Sequence, residues 1–347
     1  MNSDRITLKS LSVEQIDRLS DLQIYNIMFG PLIDGVNELY GYDKKQLDKT
    51  CVAVYGATSK KIKDRVETAA RFTSTRKPKM IIFSGGHSWD GVGIRKDGSH
   101  TKFWSNGAYV NRLFDRSIEF CEDFSFLQDV VIDRMVAEYT GNIIEEMYVN
   151  HNLNAALMNE FNARSEEKKE YTFVKWFSEK TKADWKSKQL LNEYTINQYI
   201  INHFSEADIM NYFWKYLGGS QSGIPTCKEN ASNNTFENAI YCMGVLKKEA
   251  PEADTMAIVS EWPYLLRAFV TTKKQGDENG VKILPLPAEG FKYDKKTCMK
   301  LLRDEAKKII QYEDADDVDI TKYIHMRTRI KNGPDYGFNV DDIGEEI

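Results

Sequence analysis

Two short apolar runs, each closed by glycine, restrict this chain more than any other feature. Residues 51–56, CVAVYG, and 79–86, KMIIFSGG, are too short for ordinary helices and lack the polar alternation of a half-exposed strand. They read as strands buried on both faces. Between them, KKIKDRVETAARF places Ile62, Val66, Ala69 and Phe72 on one helical face. A β–α–β order of this kind calls for a right-handed crossover and a parallel sheet.

The same rhythm returns at residue 205. SEADIMNYFWKYLG reads as a helix with Ser205 as N-cap and Gly218 near its end. IPTCKEN is a strand, TFENAIYCMGVLKKEA a helix stopped before Pro251, and TMAIVSE a strand. YLLRAFVTTKK is a helix and VKILPLP a last strand. Upstream, residues 11–40 are mostly helical. Val13, Ile16, Leu19, Ile24 and Ile27 share a broad apolar face, and Ser12 with Gln15 matches a capping box.

Between residues 102 and 204 the pattern is helical with almost no strand signal. Its aromatic rows, Phe173, Trp176, Phe177 and Leu191, Tyr194, Ile196, Tyr199, Ile200, are read as helix packing rather than a cofactor box. The polar tail from Arg329 reads as loop. The expected architecture is therefore α/β: a Rossmann-like three-layer fold with a parallel central sheet of about five strands and a large helical insertion. Residues 1–101 supply the N-terminal helix and first half of the α/β domain. Residues 102–204 are the insertion, and 205–347 the second half and C-terminal tail.

Composition excludes several classes. A net charge of −5 over 347 residues disfavours a general nucleic-acid binder, which needs a basic surface to release counterions. No stretch approaches the roughly 20 apolar residues of a membrane span, and MNSDRITLKSLSVEQ lacks the apolar core of a signal peptide. A cytoplasmic location is expected. The five cysteines form no CxxC pair and read as free thiols in a reducing compartment. The histidines show no HxxxH or HExxH spacing, so no metal is expected.

Ligands of open parallel sheets bind beyond the carboxyl ends of the strands. Four motifs fall there: Gly56-Ala57-Thr58, Ser84-Gly85-Gly86-His87, the block ENASNNTFEN at 229–238, and Ser260-Glu261. Glycine pairs let a ligand approach backbone amides, which favour anions. In the polar block, Ser232 or Asn234 serves as helix N-cap with Glu237 in the first turn. That leaves Glu229 at a strand end and Asn238 inside a helix, where asparagine calls for a partner. His87 is either a base or ligand group or a solvent-facing loop histidine. Arg65 is either a surface charge or a pocket group. Glu206, in a first helical turn, is favoured there by the helix dipole whatever its role. Arg267 can pair with Glu229 or Glu206, or clamp a carboxylate or phosphate.

The ordered set Gly56, Arg65, Ser84, Gly85, Gly86, Ser205, Glu206, Ala207, Glu229, Ser232, Thr235, Glu237, Asn238, Ala239 and Arg267 resembles the YdcF-like domain, shared with the SanA and ElyC proteins. The likeness covers about 50–88 and 204–290. Two departures stand out. More than a hundred residues separate SGG from Ser-Glu-Ala, and Tyr264 occupies the place where many members carry histidine.

Without a membrane anchor the chain looks most like the bacterial YdcF branch, which the resemblance links to S-adenosylmethionine. It implies a small nucleotide-like ligand held at Gly56, Ser84, Gly85, Gly86, His87, Glu206, Glu229, Ser232, Thr235, Asn238 and Arg267. Glu206 and Glu229 would suit ribose hydroxyls or an ammonium group. Two other readings stand beside it. One is a metal-independent hydrolase or transferase acting on a phosphorylated envelope precursor, with Glu206, Glu229 or His87 as catalytic candidates and Arg267 as phosphate clamp. The other is a non-catalytic module whose insertion binds a protein partner. The oligomeric state is left open.

Overall fold

The computed structural model describes residues 8, 11–56, 59–86, 92–94, 100–102, 127–149, 157–162, 173–188, 190, 199, 203–232, 234–288 and 295–314. The chain divides into two compact units, one formed by Met1–Phe103 with Ser205–Ile347, the other by Trp104–Phe204.

The first unit opens with helices α1 (Val13–Ile16), α2 (Asp21–Tyr40) and α3 (Lys44–Leu47). The single helical face expected over 11–40 is broken between α1 and α2. The reason is a second capping box: the Ser20 side chain accepts from the Gln23 amide, and the Gln23 side chain accepts from the Ser20 amide. Then follow β1 (Thr50–Tyr55), α4 (Ser59–Thr75) and β2 (Met80–Ser84). Two short strands, β3 (Val92–Ile94) and β4 (His100–Lys102), pair antiparallel and were not anticipated from the sequence.

After the second unit, whose described helices include α5 (Gln128–Val149) and α6 (Phe173–Ser187), the α/β order resumes. It runs α7 (Glu206–Tyr216), β5 (Thr226–Glu229), α8 (Thr235–Glu249), β6 (Thr255–Glu261), α9 (Trp262–Asn279), β7 (Lys282–Ala288) and α10 (Lys295–Asp314). The sheet has five strands in the order β5-β2-β1-β6-β7, all parallel. The expected Rossmann-like α/β architecture is present.

The pleat sorts the apolar residues into two cores. Cys51, Ala53, Tyr55, Ile82, Met256, Ile258 and Ile283 join a cluster with residues of α2, α8, α9 and α10. The alternate residues face α4 and α7, where Ile62, Val66 and Ala69 are fully buried and the Phe83 ring meets Trp214 at 6.3 Å. Helices thus cover both faces, as continuous apolar parallel strands require.

In the second unit α5 and α6 pack together. Tyr139 stacks on Phe177, with Trp176 and Phe177 buried. That part of the aromatic row is helix packing. Among the described residues of this unit no strand occurs. Leu191, Tyr194, Ile196 and the tail from Arg329 lie outside the described residues. Among the described residues no helix is long and apolar enough to cross a membrane.

Candidate functional site at the strand ends

The carboxyl ends of β5, β2 and β1 lie level. Ser84 is the register partner of both Tyr55 and Glu229. Its hydroxyl therefore meets the neighbouring carboxylate, with Ser84 Oγ donating to Glu229 Oε2 at 2.5 Å. Glu229 also accepts from the amides of Ala231 at 2.7 Å and Ser232 at 3.0 Å, and from Ser232 Oγ at 2.6 Å. It is 6% exposed. A carboxylate taken out of water this far is tolerated because its lone pairs are filled. Glu229 is thus committed to ordering the polar block, which leaves it little capacity for ribose hydroxyls or an ammonium group.

Asn238 has the partner its helical position called for. Its side-chain amide lies 2.9 Å from Ser84 Oγ and 2.5 Å from Ser232 Oγ. Two hydroxyl protons cannot serve four contacts to carboxylate and amide oxygens. The count closes when the Asn238 Nδ2 faces the two serines, donates to both, and each serine donates to Glu229. Asn234, not Ser232, caps α8, accepting from the Glu237 amide at 2.9 Å.

The SGG turn is a packing device. The Gly56 amide donates to Ser84 O, the Gly85 amide to Glu229 O and the Gly86 amide to Ser232 O. The Gly86 and Gly85 carbonyls in turn accept from the Glu206 and Ala207 amides at the start of α7. These amides hold protein, not an open anion nest. A methyl group at Gly85 would sit 2.6 Å from Glu206 Oε2, and one at Gly86 2.5 Å from the Ser232 carbonyl. Close approach of α7 and of the polar block explains the glycine pair. Glu206, 8% exposed, lies against Gly56 and Gly85. His87, with Ala57 and Thr58, lies outside the described residues.

The open space lies beside this network. A cavity of about 220 Å³ is lined by Tyr55 and Gly56 at the end of β1, Ser260 at the end of β6, Lys61 and Arg65 from α4, Thr235 and Asn238 from α8, and Tyr264, Arg267 and Ala268 from α9. In the order β5-β2-β1-β6-β7, α4 leads from β1 to β2 while α9 leads from β6 to β7 on the opposite face. The crevice between β1 and β6 is therefore the topological switch point, where such sheets hold ligands. Gly56, Thr235, Asn238 and Arg267 reach this cavity as the sequence suggested. Ser84, Glu229 and Ser232 support its wall through Asn238.

The sequence did not single out Lys61, and it left Arg65 open. Arg65 is 5% exposed; its Nε donates to Glu261 Oε2 at 2.9 Å, Nη2 binds the same oxygen, and Nη1 donates to the carbonyls of Tyr55 at 2.6 Å and Gly56 at 2.8 Å. It ties the ends of β1 and β6 together. Arg267 does not pair with Glu229. Its Nε donates to Glu305 Oε2 of α10 at 2.5 Å and its Nη1 to Thr235 Oγ1 at 2.6 Å.

Lys61 Nζ sits 3.6 Å from the centre of the Tyr264 ring and 4.0 Å from Glu261 Oε1. Burial, helped by the Arg65 charge and opposed by Glu261 and Glu305, pulls its pKa down to about 8. The unfolded chain holds this proton up to about pH 10.4 and the folded one only to about pH 8. Between those values the unfolded state binds more protons, so Lys61 makes stability rise with pH; below pH 8 its penalty is constant. Subtracting the stability of Lys61→Met from that of the wild type should leave a curve climbing across this window. A flat difference in pH-dependent urea denaturation would contradict the placement of Lys61.

A larger cavity of about 590 Å³ lies at Asp17, Asp21, Lys296, Met299, Lys300, Arg303 and Asp304. Charges there neutralise one another, as in the pair of Arg303 with Asp21 at 2.8 Å. It is remote in kind from the strand-end cavity and lacks its convergence of like charge. Among the described residues no group of three His, Cys, Asp or Glu side chains is placed to hold a metal ion. No family model matches the chain, and no curated protein or solved structure matches it either.

Proposed function

We propose that this protein binds a small phosphate-bearing ligand, of the nucleotide-like class, in the cavity between β1 and β6. The observation that carries the reading is the convergence of Lys61, Arg65 and Arg267 on one cavity at the switch point of the sheet. Three cations face two carboxylates, Glu261 and Glu305, so the balance favours an anion. Thr235 opens α8, whose dipole adds to the same field.

The YdcF-like resemblance supports the same class of ligand. S-adenosylmethionine fits it less well than a phosphate does. Its carboxylate would meet the cations, but its sulfonium and ammonium would add positive charge where positive charge already prevails. A cavity of about 220 Å³ is below the roughly 300 Å³ at which drug-sized ligands begin. It would take the phosphate end of a ligand rather than a whole nucleotide.

Thermal unfolding tests this directly. Inorganic phosphate and adenosine monophosphate at millimolar concentration should raise the Tm, since a ligand that binds only the folded state stabilises it by mass action. S-adenosylmethionine should raise it less. Lys61→Met should remove most of the phosphate effect. Absence of any shift with either phosphate compound would sink the reading, and a larger shift with S-adenosylmethionine would reverse the preference.

A further inference from the structure

We propose that Lys61 captures a carbonyl group covalently, forming an imine with an aldehyde or ketone on a short phosphate-bearing compound seated in the strand-end cavity. The proposal rests on the anion-binding reading above and narrows its ligand class.

Four observations meet at this side chain. Lys61 lines the cavity itself, its side chain only 17% exposed. Arg65 of the next turn and Arg267 of α9 line the same cavity, so an anion held there brings its neighbouring carbon within the reach of Nζ. Glu261 Oε1 lies 4.0 Å from Nζ and has no hydrogen-bond partner, although Glu261 is 1% exposed. Its Oε2 is taken by Arg65, which leaves Oε1 as the one oxygen of that carboxylate turned to other work. Such orphaned buried acceptors are rare and call for an explanation.

A lysine becomes a nucleophile when desolvation and a neighbouring cation lower the cost of losing its proton. Here burial and Arg65 act in that direction, joined by Lys308, against Glu261 and Glu305; the Tyr264 ring, 3.6 Å from Nζ, favours the ammonium as well. With the pKa near 8, a large fraction of Lys61 is neutral at mildly alkaline pH.

The step balances without an oxidant. The Nζ lone pair attacks the carbonyl carbon and forms a C–N bond as the C=O π pair moves to oxygen, which takes up a proton from solvent. The nitrogen passes a proton to Glu261 Oε1, giving a neutral carbinolamine. The C–O bond then breaks, the hydroxyl leaves as water with the proton returned by Glu261, and the nitrogen lone pair closes the C=N bond. Amine, carbonyl and one solvent proton give the protonated imine and water, and Arg65 holds the Glu261 carboxylate in place throughout.

Glycolaldehyde phosphate with sodium cyanoborohydride at pH 8, followed by peptide mass spectrometry of the full chain, tests this. The reagent reduces an imine to a stable secondary amine. About half of Lys61 is neutral at that pH against roughly one part in 300 of an ordinary lysine. We expect labelling at Lys61 at least about tenfold faster than at Lys248, whose side chain is 82% exposed. Excess inorganic phosphate should slow Lys61 and leave Lys248 unchanged. Lys61→Arg should lose the label and Glu261→Gln should slow it, in proteins whose circular dichroism matches that of the wild type. Labelling of Lys61 no faster than Lys248, in a protein that phosphate still stabilises, would overturn the capture and leave the anion site standing. Fast labelling that phosphate does not slow would overturn the assignment to a phosphate-bearing carbonyl.

Discussion

Replacing Arg65 with alanine should destabilise the protein by about 3–5 kcal/mol in chemical denaturation followed by circular dichroism. The change takes both guanidinium contacts from Glu261, 1% exposed, and leaves only Lys61, at 4.0 Å, to face the buried charge. It also removes the donor that Tyr55 O and Gly56 O share at the end of β1. The cost belongs to breaking the pair rather than to the pair's own worth. A double variant, Arg65→Met with Glu261→Leu, should therefore recover most of the loss, because apolar groups of similar volume replace buried ion pairs at little cost. A loss under about 1 kcal/mol for Arg65→Ala would mean that water reaches Glu261.

Glu229→Ala should cost about 3 kcal/mol by the same measurement, the scale of a buried network broken at its hub. Four donors lose their acceptor at once: the Ser84 and Ser232 hydroxyls and the Ala231 and Ser232 amides. Ser84→Ala should cost less, and the two changes together less than their sum, since both act on one network. Strict additivity in the double-mutant cycle would show that Ser84 and Glu229 do not share a bond. Because the network carries Asn238 on the cavity wall, Glu229→Ala should also weaken phosphate binding, although Glu229 does not line the cavity.

The sheet was legible in the sequence because each strand is a continuous apolar run between turn residues. CVAVYG and TMAIVSE mark β1 and β6 to within a residue or two. Ile62, Val66, Ala69 and Phe72 announced the buried face of α4, and all four are buried. The SGG glycines were visible but misleading about cause, since close backbone packing and an open amide cradle demand the same residue. Arg65 looks like any helix charge until its partner, Glu261, is brought across from another strand end. Arg267 pairs with Glu305 on α10, a helix the sequence reading did not mark. Lys61 carries no motif; its altered acidity comes from burial and from charges that meet only in the folded chain.

The order of strands bears on how the chain reaches this state. β1, at the centre of the sheet, pairs with β6, so Cys51 must find Met256, more than two hundred positions along the chain. β2 likewise pairs with β5, as Ile81 with Thr226. During synthesis two of the three inner strands, β1 and β2, emerge first and stay without β6 and β5 until the segment from Trp104 to Phe204 has been made. Such distant pairings favour slow folding, and they leave apolar strand edges open to other chains meanwhile. Truncation before β6 should thus yield a product that aggregates rather than half a domain.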